Sequence, residues 1–171
     1  MRYSKLLSCL ISFCFFLSVY SLLLTPYSFG FTDRVVAFVD NEAITLSEFQ
    51  EQKHNTARLL PGVTDDEVIN TMINRKLILR EAKKYRIEGP AEEDIMRDFV
   101  DLKVRAFIKV GEQDIEDFFR QNIDKFEGKT FEIVRDEIEK YLTEKEVNKM
   151  LKKVISDLRK SVYIKIQLGT Q

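Results

Sequence analysis

The apolar positions of this chain change period along its length, and the changes mark its elements. Arg34-Val35-Val36-Ala37-Phe38-Val39-Asp40 is β-branched and apolar, as a buried strand is, and Ser161-Val162-Tyr163-Ile164-Lys165-Ile166-Gln167-Leu168 alternates apolar with polar residues, as a half-buried strand does. Between these stretches the apolar residues recur almost throughout at helical spacing. A lone strand leaves its backbone N–H and C=O groups without partners, so two isolated strands at opposite ends of a helical chain most economically pair with each other. The pattern therefore predicts a mostly α fold closed by a small two-stranded clasp.

The helices announce their own ends. Asp40-Asn41-Glu42 is turn chemistry after the first strand, and Ala43-Ile44 extends the sheet briefly. Thr45-Leu46-Ser47-Glu48 then has the spacing of a capping box, and a helix is expected over 46–59 until Pro61-Gly62 stops it. Thr64-Asp65-Asp66-Glu67 is a second such box, with acids suited to the positive end of a helix dipole. It opens a central helix over 65–85, with Val68, Ile69, Met72, Ile73, Lys76, Leu77, Leu79 and Ala82 along a broad stripe and Gly89-Pro90 as its break. Ile95, Phe99, Leu102 and Ala106 predict a third helix from Ala91 to Phe107 or Ile108, and Ile115, Phe118 and Phe119 a fourth over 112–122. Phe131, Val134, Ile138, Leu142, Val147, Met150, Leu151, Val154 and Leu158 keep one phase, so a long helix or two collinear ones lead into the last strand.

The N-terminus changes the picture of where this domain works. Arg2 and Lys5 are the only charges before Asp33, and an apolar run over 6–24 follows them. After Pro26, the small residues Ser28 and Gly30 match the positions that a signal peptidase reads, so residues 1–30 are expected to be a signal peptide cleaved before Phe31. The competing reading is an uncleaved anchor, since the run approaches the ~20 apolar residues that span a bilayer. Either way residues 31–171 are expected as a single exported domain, periplasmic or anchored in the inner membrane and facing the periplasm. Both cysteines, Cys9 and Cys14, lie in that run, so the remainder must be held by its apolar core; about 140 residues suffice for one modest core. Removing Arg2 and Lys5 moves the formal charge from −1 to −3, and the charges are mixed along the chain, so nucleic acid is not an expected partner.

Little in the sequence points to covalent chemistry. His54 is the single histidine and sits among polar residues on the first helix, where a solvated role is the ordinary one. Zinc sites and Cys–His or Ser–His nucleophile pairs would need partners beyond it, so neither a catalytic residue nor a metal site is expected. Asp65-Asp66-Glu67 and Glu92-Glu93-Asp94 stand where helix starts favour acids. No glycine-rich phosphate loop or calcium-loop spacing occurs, and no cofactor is expected. The phenylalanines are more suggestive. Phe99, Phe107, Phe118, Phe119, Phe126 and Phe131 crowd the middle of the chain, and whichever of them the core leaves out would form an apolar patch suited to binding another chain.

Four blocks in order resemble the non-catalytic chaperone domain of the SurA-type family of periplasmic parvulin foldases. They are Asp33-Arg34-Val35-Val36-Ala37-Phe38-Val39-Asp40-Asn41-Glu42-Ala43-Ile44-Thr45, Ile73-Asn74-Arg75-Lys76-Leu77-Ile78-Leu79-Arg80-Glu81-Ala82, the stretch from Arg105 through Gly111 to Phe118-Phe119, and Val134-Arg135-Asp136-Glu137-Ile138 with the closing Leu158 to Ile166. The resemblance implies a helical chaperone domain in which residues 35–39 lie antiparallel beside residues 163–166. It also implies an ATP-independent protein that binds unfolded or partly folded envelope and outer-membrane proteins; within the aromatic-rich middle of the chain, Phe99, Phe107, Ile108, Phe118 and Phe119 are the expected client contacts. Two departures stand out. Catalytic members carry an isomerase domain after the position of Phe118-Phe119, where here only residues 122–130 precede the last helix, and residues 88–101 are shorter than the family's helical subdomain. Prolyl isomerase activity by family membership and a dedicated subunit of an envelope complex are the alternatives, and a homodimer formed by helix exchange fits a shortened domain of this kind.

Overall fold

The computed structural model describes residues 33–169. The expected export segment over 1–30, with its two cysteines and its cleavage site, lies outside the described residues. No helix among those described is long and apolar enough to cross a membrane. The fold is mostly helical. Strands β1 (Val35–Val39) and β2 (Glu42–Thr45) come first, then helices α1 (Leu46–Leu59), α2 (Asp65–Lys84) and α3 (Glu92–Lys103). A 3-10 turn (Arg105–Phe107), α4 (Glu112–Gln121), a second 3-10 turn (Ile123–Phe126), α5 (Phe131–Lys160) and strand β3 (Ile164–Ile166) complete it.

The clasp forms and is antiparallel, with Ala37 opposite Ile166, Phe38 opposite Lys165 and Val39 opposite Ile164. It has three strands rather than two, in the order β2-β1-β3. Strand β1 has two hydrogen-bonding edges; the chain ends close only one, and Glu42–Thr45 folds back across the Asp40-Asn41 turn to take the other. A bulge interrupts the β1–β2 register between Val35 and Ala37. The extra residue lets Val36 and Ala37, neighbours in sequence, both lie in the interior, which strict alternation would forbid.

Both capping boxes are made. Thr45 N–H donates to Glu48 Oε2 at 2.8 Å while Glu48 N–H donates to Thr45 Oγ1, and Thr64 and Glu67 repeat the arrangement. Helix α1 has the expected bounds and α5 is one continuous helix. Helix α2 ends at Lys84 with Tyr85 as its cap, within a residue of the expected bound and ahead of Gly89-Pro90: Ile87 N–H donates to Ala82 O and Arg86 N–H to Lys83 O, with Arg86 left-handed at φ 56°. This is a Schellman ending with an arginine where glycine is usual, held by Ile87 packing into the same cluster as Ala82. Helix α3 stops at Lys103 rather than reaching Phe107 or Ile108. Val104 is fully buried, and Arg105 reaches across to both carboxylate oxygens of Glu144 on α5, so the chain tightens into a 3-10 turn there.

The interior comprises three clusters, and α5 runs past all of them. The first packs the sheet on α1 and α2 through Val36, Val39, Ile44, Phe49, Ile69, Ile73 and Leu77, with Leu158, Val162 and Ile164 closing it. The second joins Ile78 and Ala82 of α2 to Phe99 of α3, against Leu151, Val154 and Ile155 of α5. The third holds Ile115 of α4 against Val134 and Ile138 of α5, with Phe119, Phe126 and Phe131 around them. The stripe read from the sequence for α2 lacked Ile78, which the second cluster buries.

Asp40 locks the clasp from the turn. Its Oδ1 accepts from Tyr163 N–H at 2.7 Å, its Oδ2 from Arg80, and its own N–H donates to Tyr163 O. The Tyr163 N–H first, and the Arg80 guanidinium second, hold its carboxyl below the usual carboxylate range. Because the folded-state value is depressed, the stabilisation from this carboxylate is fully present above the unfolded-state value near about 3.9 and fades as pH falls through the lower folded-state value. Asp40→Ala is therefore expected to lower the melting temperature at pH 7 and to shed most of that deficit by pH 2. Equal deficits at both pH values would refute the ionic account. Amide hydrogen exchange gives a second check: α4, packed on α5 around a few buried residues, is expected to exchange through local opening, while β1 and α2 exchange only on global unfolding.

Candidate functional site

The five phenylalanine and isoleucine positions singled out from sequence do not share one site. Phe99, on the inward face of α3, is 2% exposed and fills the second cluster. Phe107 ends the 3-10 turn that α3 gives way to and stands 73% exposed. Ile108, next to it, is half-buried. Phe118 and Phe119, on α4, are half-buried in the third cluster: Phe118 lies 5.2 Å from the ring of Tyr141, and Phe119 sits between Phe126 at 5.4 Å and Phe131 at 5.5 Å. Two neighbouring residues on one helix thus serve different partners. Most of the aromatic crowding is packing.

One groove does bring two of them together. Phe99 and Phe107 line an open cavity of about 490 Å³ with Tyr85, Val154 and Leu158, between the end of α2, the end of α3 and the last turns of α5. Phe99 contributes the covered part of its wall and Phe107 the exposed part. Tyr85 and Leu102, both well exposed, extend the apolar surface beside it. Lys103 Nζ lies 3.4 Å from the centre of the Tyr85 ring, a cation–π contact that holds the ring at the rim. Glu81 and Asp157 complete the rim, each paired with a lysine of its own helix, Lys84 and Lys160. An apolar floor with charges turned to the edge can cover an aliphatic or aromatic side chain without burying an unpaired charge.

Sequence reasoning missed Tyr85, Val154 and Leu158 as members of this groove. Val154 and Leu158 were legible as one apolar phase of α5, but nothing in the sequence says which part of that face meets α2 and which is left uncovered. The signal for Tyr85 was its place at the end of α2, where a large ring has no following turn to cover it. Other exposed large apolar residues lie outside the groove: Ile133 and Tyr141 on α5 and Ile123 in the 3-10 turn after α4.

A cavity of about 610 Å³ beside α1 and α2 is mostly charged: it has Glu48, Glu51, Arg75, Lys76 and Arg80 on its walls, and most of its charges are matched in pairs, Arg75 with Glu92 and Glu93, Lys76 with Glu42. The Glu93 hydrogen bond raises the Arg75 guanidinium further above its ordinary range, and the same bond lowers Glu93. His54 is exposed on α1 and is absent from that wall. Among the described residues no group of three or more histidine, cysteine, aspartate or glutamate side chains is arranged to hold a metal ion.

No protein-family model matches the chain, and no curated protein matches it either.

The different settings of Phe99 and Phe107 have opposite consequences. Phe99→Ala is expected to cost about 3–5 kcal/mol of stability by opening a cavity in the second cluster, whereas Phe107→Ala should stay within about 0.5 kcal/mol of the unsubstituted protein. Urea unfolding of the two variants checks this. A comparable loss for both would mean that Phe107 is packed rather than displayed.

Proposed function

We propose that this protein is an exported, ATP-independent chaperone that holds unfolded or partly folded envelope proteins, with the groove between α2, α3 and α5 as its client-binding surface. The observation that carries the reading is the exposed Phe107 and Tyr85 beside the buried Phe99 and half-buried Leu158 in an open groove with ionic groups at the rim. A small cysteine-free domain that displays a phenylalanine at 73% exposure loses the stabilisation of burying it, which a binding role accounts for. The closing of a helical domain by its first and last strands, with a long helix leading into the last, adds support from the SurA-type resemblance. Phe107 and Ile108 would be the first contacts of a client side chain and Phe99 the wall it settles against; Phe118 and Phe119 would act by holding α4 to α5. Localisation in the periplasm, or on the inner membrane facing it, follows on this reading from the charge and hydropathy of residues 1–30.

Binding of this kind needs no covalent step. A holdase draws unfolded chains into a reversible complex, lowers the free concentration that aggregates, and releases them as folding competes. The test is light scattering of a urea-denatured outer-membrane protein diluted with and without the purified protein. Suppression is expected at severalfold excess and should fall for Phe107→Ala, whose own stability is predicted to be near unchanged. Equal scattering with and without the protein would refute the proposal. Refolding of a proline-limited substrate in parallel should keep its uncatalysed phase of tens of seconds or longer; clear acceleration would favour an isomerase instead.

A further inference from the structure

Arg159, in the last turn of α5, is held in an unusual way. Its Nη1 donates to Asn74 Oδ1 at 2.7 Å and its Nη2 to Asn70 Oδ1 at 2.8 Å, across to α2, and Asn70 is itself oriented by donation from its Nδ2 to Asp66 O. The other partly covered arginines, Arg75, Arg80, Arg105 and Arg135, each pair with a carboxylate. Arg159 is fixed in place by neutral amides, so its charge stays uncompensated by any carboxylate among the described residues. The two asparagines occupy one N–H on each terminal nitrogen. The Nε–H and one N–H on each terminal nitrogen are left without a protein acceptor, so the guanidinium keeps donors for an oxyanion.

The surroundings match that vacancy. An open pocket of about 580 Å³ is lined by Asn70, Asn74, Lys152, Ser156, Arg159 and Lys160, with Ile155 as its apolar part and no carboxylate in its wall. Lys152, Ser156, Arg159 and Lys160 fall on one face of α5 because they recur at helical spacing. Lys152 and the Ser156 hydroxyl have no partner among the described residues, and Lys160 shares its ammonium with Asp157 at 3.0 Å. A planar carboxylate would be satisfied by the arginine fork alone. A tetrahedral group has further oxygens for the Ser156 hydroxyl and the two ammonium groups. We infer that this pocket is a phosphate site, binding a free phosphate or the phosphate of an anionic lipid headgroup. The inference is independent of client binding, for the site lies on a different face of the α2–α5 seam from the apolar groove and shares no lining residue with it.

The experiment is titration of the full chain with inorganic phosphate at constant ionic strength held by sodium chloride, followed through backbone amide resonances. In parallel the protein is co-sedimented with vesicles of phosphatidylcholine alone and of an equal mixture with phosphatidylglycerol. Saturable shifts centred on Ser156, Arg159 and Asn70 are expected, or sedimentation with the anionic vesicles alone. The first outcome assigns the site to free phosphate and the second to a headgroup. Lys152→Gln, which breaks no contact within the protein, and Arg159→Gln should each weaken binding roughly tenfold. Lys152→Gln keeps the test valid if Arg159→Gln loosens α5 from α2. No saturation by either ligand, shifts that chloride reproduces, or unchanged affinity in Lys152→Gln would overturn the assignment.

Discussion

Everything in this domain is arranged around the two edges of one five-residue strand. Each edge of β1 carries backbone donors and acceptors that burial would otherwise strand, and a single hairpin partner can satisfy only one of them. Strand β2 takes the near edge through a tight turn, and β3, from the far end of the chain, takes the other. Once β3 must lie beside β1, α5 must end at the sheet. A helix of thirty residues rising about 1.5 Å per residue then has to extend well beyond it. That constraint places the third cluster away from the sheet and makes α5 the common wall of all three clusters.

The ties along α5 follow from the same geometry. Arg159 bonds to Asn70 and Asn74 near the sheet, Arg105 bridges Glu144 in the middle, and Arg135 reaches Glu112 at the start of α4. The hydrogen bond to Glu144 raises the Arg105 guanidinium above its ordinary range, and that to Glu112 does the same for Arg135, so both pairs are fully charged at neutral pH. Exposed pairs of this kind add little to global stability, and their use here is to set which turn of α5 each short helix faces. The apolar groove is a product of that positioning. Where α3 gives way to a tight turn so that Arg105 can reach Glu144, Phe107 is carried out of the helical phase that would have turned it inward.

Much of the architecture was readable beforehand because it depends on local signals. Thr45 with Glu48 and Thr64 with Glu67 name two helix starts by hydrogen bonds three residues apart, and Pro61-Gly62 separates the two helices. The terminal strands were legible from alternation, and their pairing from the need of each for a partner. What could not be read were features set by distant residues. The end of α3 depends on Arg105 reaching Glu144, and the double burial of Val36 and Ala37 on a bulge opposite Thr45 and Ile44. The five aromatic and aliphatic site candidates were chosen by crowding in sequence, and crowding does not say which way a helix faces.

By itself, then, the sequence determined the order and nearly all the starts of the helices, and that the ends of the described domain meet, because caps, breakers and periodicity act within a few residues. The tertiary structure alone decided which phenylalanine is core and which is surface, and that an arginine near the last turn is held by amides rather than by a carboxylate. Both depend on which turn of α5 faces which turn of α2 and α3. That register is set by packing between residues as far apart as Asn70 and Arg159, over which local propensity has no influence.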